Sequence, residues 1–139
     1  MLRASGLSLG LISNADVMEV AAWPASPLAG LFDVELFSCM AGCAKPERTI
    51  YDRCLRALGV LPAESLFVGD GGSNELIGAR EAGMSTVFVS GVMASLWPER
   101  VSERRASADH HVERVADLLA LLGLTRHAAD RAADRERRG

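Results

Sequence analysis

Ser65-Leu66-Phe67-Val68-Gly69-Asp70-Gly71-Gly72-Ser73-Asn74-Glu75 is the stretch that decides how this chain folds. The run SLFVG reads as a strand buried on both faces. It leads directly into a carboxylate, a glycine pair and a helical pattern of Leu76, Ile77 and Ala79 that Gly83 ends. Similar units recur on both sides. Upstream, Leu7 to Ser13 (LSLGLIS) is a second apolar run, and Asp16 with Glu19 forms a helix-capping pattern before Val17, Val20 and Ala21, until Pro24 stops the helix. Val34 to Ser38 (VELFS) predicts another strand. The helix after it opens at Pro46, carries the stripe Ile50, Tyr51, Cys54, Leu55 and Leu58, and ends at Gly59.

Downstream, Ser85 to Val89 (STVFV) predicts a fourth strand and Ala108 to Val112 a short edge strand. Val112, Val115, Leu119 and Leu122 mark a last helix ended by Gly123. Residues 90–107 hold Trp97-Pro98 and many charges without sustained periodicity, and read as a surface excursion with room for a helical turn. Strands alternating with helices imply a doubly wound, parallel α/β sheet covered on both faces.

The 139 residues, 49% hydrophobic and 24% charged, fit one globular domain. A net charge of −3 gives no electrostatic footprint for nucleic acid or an anionic membrane. No apolar run approaches the roughly 20 residues of a membrane span, and Met1-Leu2-Arg3-Ala4-Ser5 lacks a signal-peptide layout, so a cytoplasmic protein acting on small molecules is expected. Cys39, Cys43 and Cys54 are an odd count without a C-x-x-C pair and read as reduced thiols. The chain divides at residue 123. Residues 1–123 form the acidic core, with ten cations against fifteen acids. Residues 124–139 repeat Ala-Ala-Asp-Arg, lack an apolar stripe and read as a charged, helical or disordered tail.

Ligands of an open α/β sheet bind beyond the carboxyl ends of its strands. Ser13-Asn14, Lys45-Pro46 and Asp70 with Glu75 all fall there. Lys45 stands out as the single lysine among fifteen cations, the rest being arginine. Its ammonium is a compact point charge suited to one phosphoryl oxygen in tight quarters. A hydroxyl, an ammonium and a carboxylate pair on one rim suit a divalent cation and a phosphoryl group. Asp70 would take Mg²⁺ directly, with Glu75 as a direct or water-mediated partner. Ser13, Asn14 and Lys45 would hold the phosphoryl oxygens. Taken singly, Ser13-Asn14 is also a capping pair, Asp70 a turn residue and Glu75 a favourable first-turn acid. The glycine loop lacks the last glycine of a dinucleotide fingerprint, and there is no Walker lysine.

In order and spacing, Leu9-Gly10-Leu11-Ile12-Ser13-Asn14, then Phe37-Ser38-Cys39 with Gly42-x-x-Lys45-Pro46, then Phe67 to Glu75 through Gly78-Ala79-Arg80-Glu81-Ala82-Gly83-Met84, resemble the haloacid dehalogenase superfamily, especially its phosphatase-like members. The resemblance covers residues 7–112. It places Ser13 at the second motif, Lys45 at the third and Asp70 with Glu75 at the acidic fourth. Glu47 stands where aspartate is common, and Glu75 replaces the usual second aspartate.

The resemblance also implies a central first strand ending in D-x-D, whose first aspartate attacks the substrate. Residues 1–15 contain no acid, and Asp33-Val34-Glu35 precedes a strand instead of following one. The expected protein is therefore an incomplete Rossmann-like core without its first strand and cap, read as a C-terminal portion from a truncated gene or a late start codon. The implied function is a Mg²⁺-dependent phosphomonoester hydrolase domain, inactive alone. A dehalogenase reading is weaker, because that chemistry does not use the metal that Asp70 and Glu75 suggest. A second reading is a non-catalytic module, or one whose missing strand comes from self-association or a partner chain. A third, a phospho-receiver, shares the aspartate, hydroxyl and lysine, but places the aspartate first, whereas here the order is Ser13, Lys45, Asp70. The substrate, the oligomeric state and whether the chain has any activity are left open at this level.

Overall fold

A computed structural model describes residues 1–124. All five strands are parallel but form two separate sheets. Strand β1 (Gly10–Ser13) pairs with β2 (Val34–Phe37), in register from Gly10 opposite Val34 to Ser13 opposite Phe37. The second sheet has the order β3-β4-β5, with β3 at Leu66–Gly69, β4 at Ser85–Val89 and β5 at His110–Val112. Among the described residues no backbone hydrogen bond joins β1 to β3, so each keeps one unpaired edge. The fold is thus α/β with small parallel sheets. Strands β1 and β3 stand apart instead of pairing directly.

Two helices hold the sheets together. Helix α3 (Arg48–Leu58) turns Ile50, Tyr51, Cys54 and Leu55 inward and stops at Gly59, whose φ of 68° suits glycine. Helix α4 (Glu75–Glu81) buries Leu76, Gly78 and Ala79. With Phe67 and Phe88 of the larger sheet and Ile12 and Leu36 of the smaller, Ile50, Tyr51, Leu76 and Ala79 form one continuous core, in which Tyr51 meets the Phe67 ring edge-on at 5.4 Å between centroids. A second cluster of Val87, Val112 and Leu118 lies with Leu66, Val68 and Val89, the alternate residues of β3 and β4. The three-stranded sheet is therefore covered on both faces. Asp109, just before β5, accepts hydrogen bonds from the Thr86 amide and hydroxyl, both at 2.8 Å, and these hold its carboxyl below the usual carboxylate range.

Helix α1 (Val17–Ala21) carries the full capping box expected of Asp16 and Glu19. Helix α2 (Ser38–Ala41) is a single turn after β2. Four local expectations are corrected. Strand β1 begins at Gly10 and not Leu7, which is 40% exposed, and α3 begins two residues after Pro46. Residues 90–107 lie largely at the surface but hold more helix than one turn, namely two short helices, α5 (Gly91–Leu96) and α6 (Val101–Ala106). Only Met93 of the pair is buried, so no stripe betrays them. The last helix, α7, is confined to Leu118–Leu121 and buries Leu118, while Val115 is 62% exposed. The expected tail lies, apart from Leu124, outside the described residues. No described helix is long and apolar enough to cross a membrane.

Two close contacts seat α3 on β1 and α4 on the Pro46 loop and α3. A Cβ on Gly10 would stand 2.6 Å from Cys54 Sγ, and one on Gly78 would stand 2.6 Å from the Pro46 carbonyl oxygen and 2.9 Å from the Tyr51 hydroxyl. Gly78→Ala should therefore destabilise the fold by about 1–3 kcal/mol in urea unfolding, whereas Ile77→Ala, at a position 45% exposed, should cost less than about 1 kcal/mol. Burial pushes the Cys54 thiol up to about 11. The folded state favours the neutral thiol, so this contribution is complete below the ordinary thiol range and is lost as pH rises towards 11. At pH 8, iodoacetamide followed by mass spectrometry should label exposed Cys39 in the native protein, and buried Cys43 and Cys54 only after unfolding.

Candidate functional site

The rim is joined by a chain of hydrogen bonds running from the end of β1 to the loop after β3. Asn14, the residue after β1, grips the Lys45 peptide from both sides: its Nδ2 donates to the Lys45 carbonyl and its Oδ1 accepts from the Lys45 N–H, each at 2.8 Å. The Lys45–Pro46 bond is cis. Ser38 Oγ accepts the Ala15 amide at 3.1 Å and donates to the Ala15 carbonyl at 3.2 Å, tying the ends of β1 and β2 together. Within the loop before α3, Glu47 accepts from the Ala44 amide.

From this mount the Lys45 side chain passes the Phe67 ring, its Nζ 5.8 Å from the centroid, and donates to Glu75 Oε2 at 2.5 Å. The pair is largely withdrawn from water, with side-chain exposures of 13% and 7%. The other carboxylate oxygen of Glu75 accepts the Gly71 N–H at 3.1 Å. Glu75 lies directly over Gly69, where a Cβ would fall 2.1 Å from Oε1, so β3 can end beneath the carboxylate only because that position carries no side chain. Tyr51 donates to the Glu75 carbonyl at 2.9 Å, and burial, then the charge of Glu75, push its phenol well above the usual range.

Asp70 stands apart from this pair. Its side chain is 58% exposed, its Oδ1 accepts the Gly72 N–H at 2.8 Å, and Arg104 of α6 lies beside it. Arg104 Nη1 donates to the Asp70 carbonyl at 2.8 Å and lies 3.8 Å from Oδ1. Ser13 is half-buried, and its hydroxyl has no hydrogen-bond partner among the described residues. The structure thus links Asn14, Lys45, Glu75 and the loop bearing Asp70 through direct contacts, with Ser13 adjacent in sequence to the Asn14 clamp.

Two expected residues sit differently from a simple ligand shell. The Asn14 amide faces the Lys45 peptide, and both Glu75 oxygens are engaged within the protein. Tyr51, Ser38 and Arg104 were not foreseen as parts of the site. Tyr51 is marked in sequence only as one member of an apolar stripe, and Arg104 lies in the aperiodic stretch. Among the described residues no three metal-ligating side chains converge.

Comparison with known proteins bears on this geometry. Residues 1–83 match the family described as "Hydrolase: haloacid dehalogenase-like hydrolase". The chain belongs to this family. Haloacid dehalogenase-like relatives include a glyceraldehyde 3-phosphate phosphatase of Methanothermobacter thermautotrophicus, 33% identical over 92 residues, covering 64% of this chain and 40% of the relative. A phosphoserine phosphatase of Thermus thermophilus is 34% identical over 88 residues, covering 63% and 35%. A haloacid dehalogenase-type phosphatase structure from Thermococcus onnurineus superposes with a TM-score of 0.74 at 26% identity, covering 91% of this chain and 55% of that one. The chain therefore spans about a third to just over half of the length of these relatives.

Removing Lys45 would leave the Glu75 carboxylate buried without a counter-charge. Lys45→Met should cost about 3 kcal/mol in chemical unfolding, and adding Glu75→Gln, which can still accept the Gly71 amide, should restore more than half of the loss.

Proposed function

We infer that this chain is the phosphate-binding and cation-binding part of a phosphatase-type haloacid dehalogenase-like hydrolase, and that it does not turn over phosphomonoesters by itself. The contact that carries this reading is Lys45 held against Glu75 beside the loop of Asp70. A fixed ammonium at the strand ends stabilises negative charge building on phosphoryl oxygens. Glu75 serves to aim that ammonium and to hold the loop, and Asn14 fixes the backbone from which Lys45 extends. The unpartnered Ser13 hydroxyl can donate to the same anion. The phosphatases among the relatives support phosphate as the group bound.

The donor set fits Mg²⁺ through Asp70, whose Oδ2 has no partner among the described residues. Mg²⁺ commonly takes one or two carboxylates and completes its shell with water and phosphoryl oxygens. When bound, the cation would neutralise phosphoryl charge. Glu75 would reach it through water, since its own oxygens are engaged. Residues 1–15 hold no acid to serve as nucleophile, and the thiols have no activating partner among the described residues.

The unpaired edges of β1 and β3 favour one further reading, in which a second chain, another copy or a partner, adds a strand between them. Light scattering on the eluting protein tests it, and a stable monomer that captures no partner counts against it.

The purified 139-residue protein should hydrolyse p-nitrophenyl phosphate with Mg²⁺ at no more than a trace rate, while binding inorganic phosphate in calorimetry in a manner lost on Lys45→Met. Robust turnover abolished by Asp70→Asn would overturn the inactive reading, and phosphate binding indifferent to Lys45 would overturn the site.

A further inference from the structure

Beside the Asp70 loop, between α4 and α6, there is a cavity of about 420 Å³, large enough for a small organic ligand. Its charge runs against that of the molecule. Residues 1–123 carry five more acids than cations, yet this cavity is walled by Arg100 and Arg104 against a single carboxylate, Glu103. Ser73 and Ser107 add hydroxyls, and Leu76 and Ile77 add an apolar wall.

The two arginines are differently prepared. Arg104 is only 18% exposed, and its aliphatic stem lies over Gly71, whose missing Cβ would come within 3.0 Å of the Arg104 Cδ. Of its five N–H donors, one is engaged by the Asp70 carbonyl, and no other hydrogen bond of this side chain occurs among the described residues. Arg100 is exposed and makes no ion pair or side-chain hydrogen bond among the described residues. One guanidinium is thus held in place with donors to spare, and a second is free to close over a ligand. The planar fork suits a carboxylate or phosphate better than a point charge would.

We propose that this cavity is a second anion subsite, taking the distal carboxylate or phosphate of a short phosphorylated substrate whose phosphoryl group sits at Lys45 and Asp70. The proposal rests on the phosphate-binding reading above and adds a substrate class: small phosphomonoesters with a second negative charge. Asp70 joins the two compartments, its carbonyl on Arg104 and its carboxylate open to the cation.

The test uses two three-carbon phosphates that differ by one carboxylate, glycerol 3-phosphate and 3-phosphoglycerate, titrated calorimetrically into the 139-residue protein with Mg²⁺. 3-Phosphoglycerate should bind more tightly by on the order of tenfold, the scale of one charge-assisted hydrogen-bonded contact. Arg100→Gln, at an exposed position where folding is not at stake, should bring the two affinities close together, as should Arg104→Gln. Lys45→Met should weaken both ligands. Equal affinities in the unsubstituted protein, or a preference that survives both arginine substitutions, overturn the subsite while leaving the phosphate reading intact. If neither ligand binds, the phosphate reading fails and the subsite falls with it.

Discussion

The ion pair between Lys45 and Glu75 is the constraint on which the arrangement of this molecule turns. It reaches from the loop after the smaller sheet to the first turn of a helix in the larger one, across a boundary that no strand pairing bridges. Largely out of water, neither charge is tolerable without the other. The pair therefore does for the rim what α3 and α4 do for the interior. Its remaining hydrogen bonds extend the tie: the Gly71 amide to Glu75 on one side, and the Asn14 amide to the Lys45 peptide on the other. A handful of atoms thus ties the ends of both sheets together.

Much of the fold was legible because it is written in local chemistry. The Asp16 and Glu19 box, the glycine stop at Gly59 and the Ile50 to Leu55 stripe each act within a turn or two of helix, and each stands where the pattern puts it. Legibility fails where burial is sparse. Helices α5 and α6 present one buried side chain between them, so periodicity had nothing to register, and α7 is a single turn whose one buried residue, Leu118, falls outside the Val115, Leu119 and Leu122 stripe. The split into two sheets was not legible, since sequence shows which strands exist but not whether two of them accept an empty edge.

The site divides along the same line. Lys45 was marked by being the one lysine in an arginine-rich chain, and Asp70 by closing a strand. What each side chain is occupied with could not be read. Glu75 has the composition of a metal ligand and the surroundings of a counter-ion. Asn14 has the position of a ligand contact and spends its amide on a peptide 31 residues away. Arg104 was concealed by the same bias that exposed Lys45, because one arginine among fourteen carries no signal until the fold sets it on Asp70.

The crossing at Gly78 has a longer reach than its size suggests. Helix α4 passes so near the Pro46 carbonyl and the Tyr51 hydroxyl that a methyl group there would push the loop carrying the ammonium away from its carboxylate. Every other amino acid is bulkier than glycine, so a substitution at this position can part Lys45 from Glu75 while sparing both. A descendant could keep the whole polar signature of the rim without its arrangement, and a survey by those side chains alone would not tell the two apart.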